Sequence, residues 1–217
     1  MKITALSDLH GHLPEIPNNT DLVLIAGDIC AHGKPLYQLN WLRDHFKPWL
    51  KSIKAKVVGV AGNHDWPFYG QEYPAIKDGV QKLNLSWTYL EDSGTEFEGL
   101  KIWGTPWQRE FYDWAFNLKD YELPAKWALI PEDTDILVCH GPPLGFGDYV
   151  VRDKVNVGCP ALLRKIEDIK PKLVVFGHIH CGHGHWDYDG IRLANVTVVN
   201  EQYKMVYPPF EYELKND

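Results

Sequence analysis

Apolar residues in this chain gather into short runs that stop abruptly at polar residues. Lys2 to Leu6 is a run with a β-branched centre, broken by Ser7-Asp8-Leu9-His10-Gly11-His12. Leu22-Val23-Leu24-Ile25 is continuously apolar, the pattern of a strand buried on both faces, and Gly27-Asp28 ends it. From Pro35, the residues Leu36, Leu39, Leu42, Phe46, Trp49, Leu50 and Ile53 recur at helical spacing, with Pro48 expected to kink or divide the helix. Lys56 to Ala61 forms the next strand and runs into Gly62-Asn63-His64-Asp65. In open α/β sheets, ligands bind beyond the carboxyl ends of strands, so polar clusters at successive strand ends point to one crevice.

The middle of the chain predicts short strands at Trp87 to Leu90, Thr95 to Phe97 and Leu100 to Trp103, with Glu98-Gly99 as a hairpin turn. Gly104 to Trp107 reads as loop, and Glu110 to Leu118 as a partly helical aromatic segment. Asp135 to Cys139 is again a strand, closed by His140-Gly141. Gly145 to Gly158 reads as a surface loop, and Pro160 to Ile169 as a helix striped by Leu162, Leu163, Ile166 and Ile169. The strand Leu173 to Phe176 then leads to His178-Ile179-His180, whose imidazoles at i and i+2 would share one face if the strand continued. Ile191 to Glu213 suggests closing antiparallel strands. No repeat or linker interrupts the 217 residues, so one domain, 1–217, is expected.

Charge and composition narrow the picture modestly. A net charge of −7 disfavours a broad basic face for extended nucleic acid. No apolar run approaches the ~20 residues that span a bilayer, so a membrane protein is not expected and a cytoplasmic one is. Cys30, Cys139, Cys159 and Cys181 lack C-x-x-C spacing and are expected as thiols.

The strand-end clusters carry the chemistry. Asp8, His10, Asp28, Asn63, His140, His178 and His180 offer two carboxylates, a carboxamide and four imidazoles, with His64 in addition. That set exceeds one tetrahedral zinc and suits two divalent ions sharing a carboxylate, of manganese, iron or zinc type. Two such ions ~3.5–4 Å apart polarise a phosphoryl oxygen and lower the pKa of a shared water. Taken singly, each cluster is ordinary turn or core chemistry; the joint occurrence is what weighs.

The series Asp8-x-His10, Gly27-Asp28, Gly62-Asn63-His64-Asp65, His140-Gly141 and Gly177-His178-x-His180 resembles the calcineurin-like metallophosphoesterase superfamily. Gly104 to Gln108, Trp114 to Asn117, His140 to Gly145 and Val157 to Pro160 are similar to its brain-239 branch of metallophosphoesterase-domain-containing proteins. The resemblance implies a four-layer α-β-β-α sandwich. It also implies a first metal on Asp8, His10, Asp28 and His180 and a second on Asp28, Asn63, His140 and His178. His64 would face substrate, stabilising charge on the phosphoryl group or protonating the leaving oxygen, with a neighbouring acid such as Asp65 orienting it. The branch implies phosphodiester or cyclic-nucleotide hydrolysis by in-line attack of hydroxide, against the alternatives of a phosphomonoesterase, a nuclease or a silent binding scaffold. Trp66-Pro67-Phe68-Tyr69 follows the Asn-His-Asp motif where phosphoprotein-directed members commonly carry an arginine, which lowers that substrate class. Asn63, His64, Trp66 and Trp107 are candidate substrate contacts, as is Phe146, because aromatic faces stack on nucleobases. His12 and His32 lie close to ligands in sequence and could orient them by hydrogen bonds, with an ordinary structural role the favoured reading of each.

Overall fold

The computed structural model describes residues 1–215. Its strands, in chain order, begin with β1 (Lys2–Leu6), β2 (Leu22–Ala26), β3 (Lys56–Val60), β4 (Thr88–Tyr89), β5 (Ser93–Phe97) and β6 (Leu100–Thr105). They continue with β7 (Gln108–Arg109), β8 (Asn117–Leu118), β9 (Ile136–Cys139), β10 (Tyr149–Val150), β11 (Val155–Asn156), β12 (Leu173–Phe176), β13 (Gly184–Tyr188), β14 (Ile191–Asn195) and β15 (Phe210–Glu213). The helices are α1 (Pro35–Trp41), α2 (Lys47–Ser52), α3 (Pro74–Leu83), α4 (Leu123–Trp127) and α5 (Pro160–Ile169).

Two sheets form the centre. Sheet one has the order β15-β1-β2-β3-β4, parallel from β1 to β4 with β15 antiparallel at its edge. Sheet two has the order β13-β14-β12-β9-β6-β5, parallel through β14, β12, β9 and β6 and antiparallel at both ends. Strand periodicity explains why the apolar runs are unbroken. Leu22, Leu24 and Ala26 pack with Ile136, Val138 and Val175 between the sheets. The intervening Val23 and Ile25 join the outer core, which also holds Trp41, Leu42 and Phe46. Leu137 and Cys139 likewise point away from the inter-sheet core, into the layer that holds Leu162 and Ile166 of α5. Helices therefore cover both outer faces, giving the α-β-β-α sandwich.

Several local expectations are corrected. Pro48 does not divide its helix: a π-turn over Leu42–Phe46 connects α1 to α2, and Lys47 N–H reaches back to Leu42 O. The wider turn absorbs the hydrogen bond that proline cannot donate. Glu110 to Leu118 is not helical; the short parallel pair β7–β8 closes it as a loop, tied by Gln108 Nε2 to Ala115 O at 3.1 Å and to Asn117 Oδ1 at 2.8 Å. The loop from Gly145 to Gly158 contains the β10–β11 pair, and the buried Asp148 carboxylate accepts from Gly145 N, Gly158 N and Asn156 Nδ2. β14 is parallel to β12 rather than purely antiparallel to its neighbours. Cys30, Cys139 and Cys159 are buried thiols and Cys181 is partly exposed. Cys159 does more than fill space, because its Sγ accepts Leu162 N–H and caps α5. Among the described residues, no helix is long and apolar enough to cross a membrane.

Candidate metal centre

The loops after β1, β2, β3, β9 and β12 meet at one edge of the sandwich and bring all seven candidate ligands together. The convergence does not come from continued strands. β12 ends at Phe176, His178 takes φ +69°, and His180 opens a 3-10 turn. Asp8, His10 and Asp28 also have left-handed backbones, at φ 54°, 42° and 53°. Each chain turns sharply as it leaves its sheet, and that turn, rather than alternation along a strand, aims the side chain. Non-glycine residues adopt this region rarely and at some energetic cost, which tends to be borne where function requires it.

Glycines let the loops approach. A β-carbon on Gly62 would collide with the Asp28 carboxylate, and one on Gly177 would collide with Ser7 and Asp8. Backbone bonds fix the register between loops: Asp8 N–H donates to Gly27 O and His10 N–H to Asp28 O, both at 2.9 Å. His178 N–H donates to the Asp8 carboxylate at 3.1 Å, and Ser7 Oγ donates to the same group.

Asp28 stands at the middle. Its Oδ2 lies 3.7 Å from His10 Nε2, while its Oδ1 lies 3.5 Å from His140 Nε2. On the first side, His180 Nε2 is 3.4 Å from Asp8 Oδ1 and 3.3 Å from His10 Nε2. On the second, Asn63 Oδ1 is 2.9 Å from His140 Nε2 and 2.8 Å from His178 Nδ1. The donor chemistry fits divalent cations. His140 Nδ1 is 2.9 Å from Ala26 O and His180 Nδ1 is 3.2 Å from Asn200 O, contacts that require N–H on those nitrogens. Once these rings are neutral, as metal binding requires, the opposite nitrogens aim lone pairs at oxygen acceptors, an arrangement that a shared cation satisfies. Groups of three such atoms, Asp8–His10–His180 and Asp8–Asp28–His140, lie within 4.8 Å of one another.

The same proximity sets the protonation of the groups. Burial alone would raise the Asp28 carboxyl, but the imidazoles of His140, His64 and His10 hold it well below the usual range. Burial would lower His140, and Asp28 and Asp8 reverse this and lift it to about 9. For His178, burial reinforced by the His140 charge wins and depresses it to about 3; burial depresses His10 to about 4.

Asp65 does not orient His64. Its buried carboxylate accepts from the backbone of Ile29, Cys30 and Gly62 at 2.8–3.0 Å, so its lone pairs are spent fastening the loop after β2 to the loop after β3. The His64 ring instead lies against Trp114, with centroids 4.2 Å apart, and edge-on to His10 at 4.8 Å. A crevice of about 860 Å³ opens beside it, and Asn63, Trp114, Phe111, Tyr112 and Tyr203 are among its lining residues. Trp107 also lines it but is only 5 % exposed, its indole N–H bonded to Asp92 and Lys126 lying over its ring. Trp66 packs with Tyr69, Tyr73 and Trp114, and Phe146 with Trp186 and Tyr188; neither lines the crevice. His12 does not touch a ligand and instead binds Tyr203 O at 3.0 Å. Trp114 and Tyr203 escape sequence reasoning because nothing in an aromatic's neighbours along the chain shows which ring a loop will turn inward.

The comparisons agree with this geometry. The family model for calcineurin-like phosphoesterases matches residues 1–182. Human metallophosphoesterase domain-containing protein 1 is 36% identical over 237 residues, covering 98% of this chain and 71% of that protein. The Caenorhabditis elegans UPF0046 protein T07D4.2 is 32% identical over 222 residues, covering 89% of this chain and 54% of its own length. Among solved structures, TT1561 of Thermus thermophilus superposes with TM-score 0.58 at 17% identity, covering 89% of this chain and 88% of that one. Another reaches TM-score 0.69 at 15% identity, covering 89% of both chains, and these two likenesses speak to the fold alone. The matched segment contains every candidate ligand from Asp8 to His180, so the chain belongs to the calcineurin-like phosphoesterase family and is a metal-dependent phosphoesterase.

Proposed function

We propose that this phosphoesterase acts on phosphodiesters, specifically on cyclic nucleotides or small nucleotide-derived diesters. The observation that carries the dimetal part is the division of Asp28, whose two carboxylate oxygens face separate sets of imidazoles. In this reading Asp8, His10, Asp28 and His180 hold one divalent ion and Asp28, Asn63, His140 and His178 the other, with manganese favoured and iron or zinc tolerated. When bound, such ions polarise the phosphoryl group and make a water nucleophilic at neutral pH.

The protein's own groups do the rest. His64 lies beside Asp28, to which its backbone N–H donates at 2.8 Å, and its ring is free to give a proton to the departing oxygen. The preference for a diester rests on charge. Arg109 and Arg152, the arginines lining the crevice, are paired with Asp120 and Asp153, so neither is an unpaired guanidinium for the second negative charge of a monoester. The volume beside the ligands exceeds what a phosphate needs, and Trp114, Phe111, Tyr112 and Tyr203 offer flat apolar faces for a nucleobase.

The test holds the leaving group constant. With manganese supplied, kcat/KM on methyl 4-nitrophenyl phosphate should exceed that on 4-nitrophenyl phosphate by at least about tenfold, a difference of ~1.4 kcal/mol. Cyclic AMP should yield AMP. The reverse preference would assign a monoesterase, and a metal-loaded, folded protein inert to both would assign a binding scaffold.

A further inference from the structure

His64 is held through both its backbone N–H and its carbonyl, while among the described residues nothing hydrogen-bonds its ring. Its N–H donates to Asp28 Oδ1, and its carbonyl accepts from Gln38 Nε2 at 2.7 Å. Gln38 lies on α1, is 2 % exposed, and also donates to Ala31 O at 3.2 Å, in the loop that follows Asp28. Among the described residues no group hydrogen-bonds the His64 imidazole, and although one ring nitrogen lies within 4.8 Å of an Asp28 carboxylate oxygen and a His10 nitrogen, packing is what contacts the ring directly. Trp114 supplies that packing at 4.2 Å and a 32° tilt. The Trp114 loop is fixed to the adjoining peptide: Ala115 N–H donates to Asn63 O at 3.3 Å, and Asn117 Nδ2 closes the loop on Phe111 O and Tyr112 O.

We infer that Gln38 and Trp114 are positioning residues that brace His64 at two points, one fixing its backbone and the other its ring. The inference rests on the reading of His64 as the proton donor. An imidazole without hydrogen-bond partners keeps its proton available to substrate, but it needs another source of orientation. Orientation matters because general-acid transfer contributes ~10²–10⁴-fold and a displacement of about 1 Å can forfeit ~10²-fold. The brace also gives a buried glutamine on α1 a use for its amide nitrogen, which donates to both Ala31 O and His64 O, while its Oε1 is buried without a partner among the described residues.

Proton donation is needed most when the leaving oxygen is a poor one, so the experiment compares methyl phenyl phosphate with methyl 4-nitrophenyl phosphate on manganese-loaded protein. Trp114→Leu should lower kcat about tenfold on the phenyl ester and about twofold on the nitrophenyl ester. Trp114→Phe should restore most of the loss. Gln38→Leu, similar in size but without the donor, should show the same selectivity at about fivefold. Equal losses on both esters, or changes confined to KM, would overturn the brace and leave these residues as general packing or substrate contacts. His64→Ala sets the scale. If it is itself indifferent to the leaving group, the His64 reading falls and the brace with it; if it is selective and the other variants are not, only the brace falls. A readout independent of turnover is the His64 ring resonance in histidine-labelled protein. It should move in Gln38→Leu although Gln38 does not touch the ring, and an unmoved resonance would overturn the part assigned to Gln38.

Discussion

Sheet one ends in carboxylates and a carboxamide where sheet two ends in imidazoles alone. From the loops after β1, β2 and β3 come Asp8, Asp28 and Asn63 with His10; from those after β9 and β12 come His140, His178 and His180. The contrast is electrostatic. Two buried carboxylates on one sheet would repel each other, and Asp28 does act to raise Asp8. The imidazoles of the facing sheet offset this, with His64 and His10 of sheet one adding to their effect on Asp28, so that Asp8 and Asp28 are held low while His140 and His180 are held up. Neither sheet owns a complete site, so the site is also a seam that joins them.

Breaking the sheet-one side should hurt most. Asp28→Ala removes a group facing both sets and should lower kcat by about 10³-fold or more, equivalent to ~4 kcal/mol, while His180→Ala, which affects one set, should cost about 10²-fold. Steady-state rates at saturating manganese decide, and equal losses would dissolve the distinction between the sheets. Next in size is removal of metal. An ion present at 100 times its dissociation constant stabilises a protein by ~2.7 kcal/mol, so a chelator should lower Tm by about 5–10 °C, an effect that Asp28→Ala should largely abolish. A Tm indifferent to chelation would mean that the sheets need no cation to join them here. The smallest effect sharpens the comparison at one hydrogen bond. Ser7→Ala, which frees Asp8 from its neighbour's hydroxyl, should weaken metal binding about 10–100-fold by titration calorimetry with little change in the fold.

Much of this was legible where burial imposes a pattern. Leu22 to Ala26 and Leu173 to Phe176 read as strands because both faces are covered, and α5 read from its stripe and Pro160. α3 is not among the predicted elements: Ile76, Val80 and Leu83 share one face, but Gly79 and four charged or amide residues dilute the pattern. The ligand set was legible as residue types at strand ends, yet the device that aims it was not, since left-handed backbone at Asp8 or His178 is dictated by the meeting of loops. Asp65 illustrates the same limit. Adjacent to His64 in sequence, it faces backbone amides 36 residues away, and those amides are the same in every residue type.

The left-handed turns set the ease of the backbone against the chemistry it presents. At His10 the chain would be more comfortable with glycine than with histidine, since only glycine visits this conformation freely. Replacing His10 by glycine would therefore relax the backbone while emptying the imidazole position, so at this residue comfort of the chain and chemistry of the site pull in opposite directions.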